Sequence, residues 1–215
     1  MMKKLLAACL LLLTSQLLAT NAMAEPQSGV EYSPVLQLVP TDDTKRIEVT
    51  EIFWYGCPHC YDFEPIVSAW VKKFPPNVYF KRVPGVPRPD WVPMAKAYYT
   101  LDALNLVDKL HVPLFDAIHK TRELKPADEV GVIDWITKQS GLDRKRVEDT
   151  YRSFSINTKV MNAMQVFRAT GATGVPTLLI DGKYISSATM AGGNDAFIKT
   201  ADYLIAKAKQ EKGIK

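Results

Sequence analysis

Ile47-Glu48-Val49-Thr50-Glu51-Ile52-Phe53-Trp54-Tyr55-Gly56-Cys57-Pro58-His59-Cys60-Tyr61 is the stretch that decides the fold. Ile47 to Tyr55 is dominated by β-branched and aromatic residues, the composition of a strand. Gly56-Cys57-Pro58 breaks the run, and Phe63, Ile66, Val67 and Trp70 then recur at helical spacing. A helix is therefore expected from about Cys57 to Phe74, ending before Pro75-Pro76. Pro58 suits its first turn, where a missing N–H is no loss, whereas Pro65 falls inside and should kink it. Val78 to Val83 reads as the next strand. Strand, helix and strand in this order make a parallel βαβ unit with a right-handed crossover.

Downstream, four prolines crowd into Pro84 to Pro93 and mark a connector. From Met94 to about Arg168 no strand pattern occurs. Helical periodicity marks Met94–Leu104, Pro113–Thr121, Asp128–Gln139 and Arg144–Phe154, and Met161, Met164 and Phe167 read as packing residues of the same block. Thr177–Ile180 and Lys183–Ser186 then form a hairpin across Asp181-Gly182, a type I′ turn signal. An amphipathic helix from Asp195 to about Lys209, capped by Asn194, closes the chain. The whole is an α/β core split by an all-helical insertion, with its two outer pieces sharing one sheet.

Upstream, Lys3-Lys4, the apolar run Leu5 to Leu13 and the small-x-small sequence Ala22-Met23-Ala24 read as an export signal over residues 1–24, with the mature chain starting at Glu25. An uncleaved membrane anchor is the alternative, but Thr14, Ser15 and Gln16 interrupt the run short of the ~20 residues a span needs. Leu6-Ala7-Ala8-Cys9 also resembles a lipoprotein box, although cleavage there would strand apolar positions after it. A soluble protein outside the reducing cytosol is expected.

The chain has 215 residues, 47% hydrophobic and 23% charged, enough for a packed core and unlike disordered or collagen-like sequence. Net charge is +4, and setting aside Lys3 and Lys4 leaves 25 basic against 23 acidic residues. That balance argues against nucleic acid or a polybasic membrane anchor as partner. Of three cysteines, only Cys57 and Cys60 lie beyond the signal, too few for a disulfide scaffold.

Cys57-Pro58-His59-Cys60 at a strand-to-helix junction carries the chemistry. Helix N-terminal N–H groups favour a thiolate at Cys57, and Cys60 sits one turn on, within bridging distance. His59 can offer the Cys57 sulfur a hydrogen bond or a positive charge. Three readings compete. A zinc site would need ligands that only His111 and His119 could supply. A structural disulfide closing so short a loop constrains little of the unfolded chain. A catalytic redox pair is the third.

Gly56-Cys57-Pro58-His59-Cys60-Tyr61, together with Gly174-Val175-Pro176-Thr177, resembles the thioredoxin-fold proteins of the DsbA type, the periplasmic thiol oxidases. The likeness covers nearly the whole mature chain. It implies a thioredoxin fold interrupted by a helical insertion: residues 25–88 as the first part, 89–168 as the insertion and 169–215 as the second part. It implies catalytic roles for Cys57, Cys60, His59 and Pro58. It also implies a cis bond before Pro176, with the Val175 backbone pairing with bound peptide; the alternative is an ordinary trans turn. Glu51 matches the family's buried acid, which handles the proton of the second cysteine. Lys81 or Arg82 would be its basic neighbour, and the alternative is a solvated strand face with Glu51 pointing outward.

Further implications are a monomer without metal or organic cofactor, reduced exported proteins as substrates, and re-oxidation by a quinone-linked membrane oxidase of the DsbB type. Trp54, Tyr55, Phe63 and Trp91 are candidates for an apolar rim, with Tyr55 and Trp91 the ones expected to show exposure. The rival functions are a disulfide reductase or isomerase of the same fold, and a peptide-binding chaperone with an incidental cysteine pair.

Overall fold

The computed structural model describes residues 25–214; the export signal expected at residues 1–24 lies outside the described residues. A short strand β1 (Ser33–Pro34) precedes β2 (Ile47–Phe53), helix α1 (Pro58–Val71) and β3 (Val78–Pro84). A 3-10 turn (Pro89–Trp91) leads into five helices: α2 (Val92–Ala103), α3 (Val107–His119), α4 (Glu129–Ser140), α5 (Arg144–Tyr151) and α6 (Phe154–Thr170). Then come β4 (Thr177–Ile180), β5 (Tyr184–Ser186), the single turn α7 (Ala188–Ala191) and α8 (Asn194–Lys212).

The strands form one sheet in the order β1-β5-β4-β2-β3. β2 runs parallel to β3 and antiparallel to β4, so the two outer pieces of the chain meet at its centre. Every residue of β2 is buried, as expected of a strand covered on both faces. Ile47 and Val49 pack with Phe63, Val67 and Trp70 of α1, Leu178 and Ile180 of β4, and Phe197, Ala201 and Leu204 of α8. A second core joins Phe53, Tyr55 and Cys60 to Met94, Leu101, Leu110, Leu114 and Phe115 of the helical layer. The helices between β3 and β4 therefore pack directly on the loop that carries the cysteines.

Several element boundaries differ from those expected. α3 starts at Val107 and contains Pro113 in its interior, because its buried stripe of Leu110, His111, Leu114, Phe115 and Ile118 begins before the proline. The helix expected to reach Phe154 stops at Tyr151. Ser153 accepts a hydrogen bond from the Ile156 N–H and starts α6, leaving Phe154 85% exposed. Met161, expected to pack, is 61% exposed on α6, whereas Phe167 is buried. In the hairpin, Asp181 and Gly182 both have positive φ, as a type I′ turn requires. Lys183 completes that turn by donating its N–H to the Ile180 carbonyl, so β5 begins one residue later. Asn194 is the first residue of α8 rather than its cap. Gly193 holds the cap position with no side-chain bond, and the helix runs three residues past Lys209.

Candidate active site

β2 ends in a β-turn: the Cys57 N–H donates to the Trp54 carbonyl at 3.0 Å. Gly56 is required there by contact, since a Cβ would fall 2.3 Å from the Trp54 ring. That ring in turn stacks on Trp91, with centroids 4.0 Å apart and planes 7° from parallel. Cys57 then takes the N-cap position of α1 (φ −90°, ψ 117°), with Pro58 in the first turn. A thiol at this position faces the unpaired amides of the first helical turn.

Cys57 is half-buried and Cys60 buried, both as free thiols. The Cys57 thiol is lowered to about 6. The strongest cause is a hydrogen bond from the Cys60 thiol; the backbone N–H groups of Cys60 and His59 and the His59 charge add to it, and partial burial opposes it. Cys60 moves the other way, pushed well up by burial, by its bond to Cys57 and by the Cys57 and Glu51 charges. The pair is thus strongly asymmetric. The His59 side chain is exposed, and its backbone N–H contributes more than its imidazole does.

The Val175–Pro176 bond is cis, and the Cys57 Sγ lies 3.4 Å from the Val175 carbonyl oxygen, to which the thiol donates. Thr177 donates its hydroxyl to the Gly174 carbonyl at 2.8 Å, bracing this loop. Beside it runs a groove of about 680 Å³ lined by His59, Asp62, Thr173, Val175, Pro176 and Met190, among others. Val175 and Pro176 line this groove, and the Cys57 sulfur lies against the Val175 carbonyl at its edge.

Glu51 is 1% exposed, so the outward-facing alternative does not hold. The strand register sets Glu51 opposite Arg82 and Thr50 opposite Lys81. Arg82 is therefore the basic neighbour, its Nε donating to Glu51 Oε2 at 3.0 Å, while Lys81 pairs with Glu48 at 2.9 Å. Burial raises the Glu51 carboxyl to about 7, Arg82 pulling down and Glu64 pushing up.

Four further residues extend this pair: Glu64 and Ser68, which sequence reasoning left out, and His111 and Tyr55, which it weighed in other roles. Arg82 Nη2 donates to both oxygens of Glu64, at 2.9 and 3.0 Å. Glu64 is also met by the Ser68 hydroxyl at 2.5 Å and by His111 Nε2 at 3.2 Å. His111 Nδ1 lies 2.7 Å from the Tyr55 hydroxyl. Burial would raise Glu64, but His111, Arg82 and Ser68 more than offset it and its carboxyl is lowered; burial lowers His111. A carboxylate only accepts, so Nε2 carries the proton of a neutral His111, and Nδ1 accepts from Tyr55. Glu64 was detectable as an acid beside Phe63 on the buried stripe of α1, and His111 as an imidazole within the apolar run Leu110 to Phe115.

The proposed aromatic rim needs correction. Tyr55 is 1% exposed and Phe63 is fully buried, each drawn into one of the two cores. Only the stacked pair Trp54 and Trp91 remains partly open. Neither remaining histidine is placed beside the cysteines as a ligand: His111 binds Tyr55 and Glu64, and His119 binds the Tyr55 carbonyl at 2.7 Å.

A sheet with a parallel βαβ start, an antiparallel hairpin return, a Cys-x-x-Cys pair capping the first helix and a cis-proline loop against it defines a thioredoxin-fold thiol:disulfide oxidoreductase. The comparisons agree. The profile of the DSBA-like thioredoxin domain matches residues 83–204. The thiol:disulfide interchange protein DsbA of Burkholderia cepacia is 36% identical over 215 residues, covering 98% of this chain and 100% of the relative. Its Pseudomonas aeruginosa counterpart is 35% identical, covering 97% and 98%. The crystal structure of Pseudomonas aeruginosa DsbA superposes with a TM-score of 0.80 at 36% identity, over 86% of this chain and 96% of that one. DsbA from Xylella fastidiosa gives 0.81 at 25% identity, over 87% and 100%. The chain belongs to the DsbA family of thiol:disulfide interchange proteins.

Among the described residues, no helix is long and apolar enough to cross a membrane.

Proposed function

We propose that this protein works as a thiol oxidase, passing the Cys57–Cys60 disulfide to reduced exported proteins in the periplasm after removal of residues 1–24. The asymmetry of the cysteine pair carries this reading. A substrate thiolate attacks the Cys57 sulfur, the Cys57–Cys60 bond breaks, and Cys60 leaves with the electron pair and takes up a proton. A second substrate thiolate then attacks the substrate sulfur of the mixed disulfide and expels Cys57 as a thiolate, leaving an oxidised substrate and a reduced enzyme. Cys57 leaves readily because its thiolate is stabilised. Cys60 is a poor leaving group until protonated, and Glu51, with a carboxyl near neutrality, is the group that supplies and later recovers that proton. Val175 and Pro176 hold the substrate backbone, and a quinone-linked membrane oxidase of the DsbB type restores the disulfide.

Stabilising the Cys57 thiolate stabilises the dithiol form, which makes the disulfide oxidising; DsbA is itself the usual illustration of this rule, so the direction is supported by family as well as by geometry. The test is to compare oxidation of a reduced, unfolded substrate with reduction of insulin, using the parent and Cys57→Ala. Fast oxidation with slow insulin reduction, both lost in Cys57→Ala, is expected. Insulin reduction as the faster reaction would point to a reductase, and substrate binding unaffected by Cys57→Ala with neither reaction would point to a chaperone.

Redox state should also couple to stability with a defined sign. The folded Cys57 value lies below the unfolded one, so its contribution is full above the unfolded value of ~8.5 and is lost as pH falls through about 6. Cys60 is shifted upward and takes stability away above ~8.5. The melting temperature of the reduced protein relative to the oxidised one should therefore climb from pH 6 to 8, stand above it near neutrality, level off near ~8.5 and fall beyond. Circular dichroism melts of both forms from pH 4 to 9 measure this; an oxidised form more stable throughout would contradict an oxidising pair.

A further inference from the structure

The sequence contains three histidines, and the two outside the cysteine motif both reach one residue, Tyr55, from the same helix. His111, near the start of α3, takes the phenol. His119, its last residue, sits 2.7 Å from the main-chain carbonyl. A carbonyl can only accept, so His119 Nε2 carries the proton. Its ring is stacked on Tyr61, with centroids 5.0 Å apart and planes 17° from parallel, and Tyr61 in turn donates to Asp116 at 2.8 Å.

That carbonyl belongs to the central peptide of the Trp54–Cys57 turn. Type I and type II turns differ by a flip of this one peptide, and a glycine at the third position permits both. Gly56 occupies that position, and its φ lies outside the left-handed region, so the turn sits on the type I side. The Tyr55 side chain is already fixed by His111 and by edge contacts with Phe53 and Phe115. The freedom left to the segment is the peptide plane between Tyr55 and Gly56.

We propose that His119 is a positioning residue for the disulfide exchange: by donating Nε2–H to the Tyr55 carbonyl it holds this peptide in one orientation, and with it the N-cap geometry of Cys57 against the first amides of α1. The inference rests on Cys57 being the attacked sulfur. The helical layer thus contributes to the redox site through a hydrogen bond rather than through packing alone.

Glutamine places a donor nitrogen where His119 has Nε2, whereas asparagine falls short and leucine has none. Iodoacetamide alkylation of Cys57 in the reduced full chain, followed against pH, should give H119Q the midpoint of the parent. H119N and H119L should shift upward by about one unit, so that alkylation at pH 6 slows about fivefold. Midpoints of H119N and H119L equal to the parent's, or an H119Q shift as large as that of H119L, would overturn the proposal. If H119L fails to fold, the H119Q and H119N pair decides. The nitrogen shifts of His119 in the parent give an independent check: the Nε2–H tautomer is expected, and the Nδ1–H tautomer overturns it. A parent in which Cys57 itself titrates as an ordinary thiol would instead overturn the reading of the site, and this inference with it.

Discussion

Cys57→Ser is expected to reduce thiol oxidation to the uncatalysed rate, while Cys60→Ser, whose Cys57 thiolate attacks a substrate disulfide and expels the second substrate sulfur as a thiolate, accumulates mixed disulfides. The difference follows from exposure and ionisation together. Cys57 is reachable and is mostly thiolate at pH 7, whereas Cys60 is buried and stays protonated. In the reduced protein at pH 7 the thiolate fractions alone imply that Cys57 alkylates at least ~100-fold faster than Cys60, before the loss of intrinsic nucleophilicity that accompanies a lower pKa is taken off. Non-reducing gels of the two variants with a disulfide-bonded substrate, and mass spectrometry of alkylated sites, measure both effects. Equal labelling of the two sulfurs would refute the assignment.

The largest expected loss of stability belongs to Arg82→Leu. Arg82 is the cation between Glu51 and Glu64, and its side chain is only 15% exposed. Removing one partner of a buried ion pair typically costs about 3–5 kcal/mol, because the other is left charged and dry. Here the cost should depend on pH. The Glu51 carboxyl is already raised by burial and would rise further without Arg82, so it takes up a proton below neutrality and ceases to be an unpaired charge. A carboxyl whose folded value is raised leaves folding unaffected below its unfolded value and destabilises progressively as pH rises toward the folded one. Urea unfolding should show a large deficit at pH 8 that shrinks by pH 5, and Glu51→Gln added to Arg82→Leu should recover much of it. A deficit independent of pH would mean that Arg82 contributes through packing alone.

What the sequence disclosed depended on the range of the interaction behind each feature. β2, α1 and the turn at Asp181-Gly182 are governed by neighbours in the chain, so periodicity and turn chemistry located them within a few residues. The start of α3 was misjudged because Pro113 was read as a beginning, although the buried stripe around it extends further back. Tyr55 was misplaced for a longer-range reason. Strand composition gives no hint that a helix from fifty residues downstream will seal this aromatic in with His111 and Phe115. Which of Lys81 and Arg82 meets Glu51 depends on register, which only the assembled sheet defines. The cysteine pair was legible because its chemistry is local, and Glu51 through the family likeness; Glu64 was not, and the roles of His111 and His119 were missed because both come from α3, a helix distant in sequence.

The sheet order has a consequence for the order of events as the polypeptide emerges. The cysteine motif appears at residues 57–60, but the carbonyl facing Cys57 belongs to Val175, and β4, which carries that loop, is the strand that pairs with β2. A nascent chain displaying only its first hundred residues therefore has both sulfurs and the parallel strand pair but no cis-proline loop beside them. The five-helix stretch between must emerge before the central strand can dock and complete the sheet. Long-range pairing of this kind pays its loop-closure entropy before any contact rewards it. The protein thus carries its cysteine pair for much of its own synthesis without the loop that faces Cys57, and it gains that wall in a late step, when residues 175–180 close against β2.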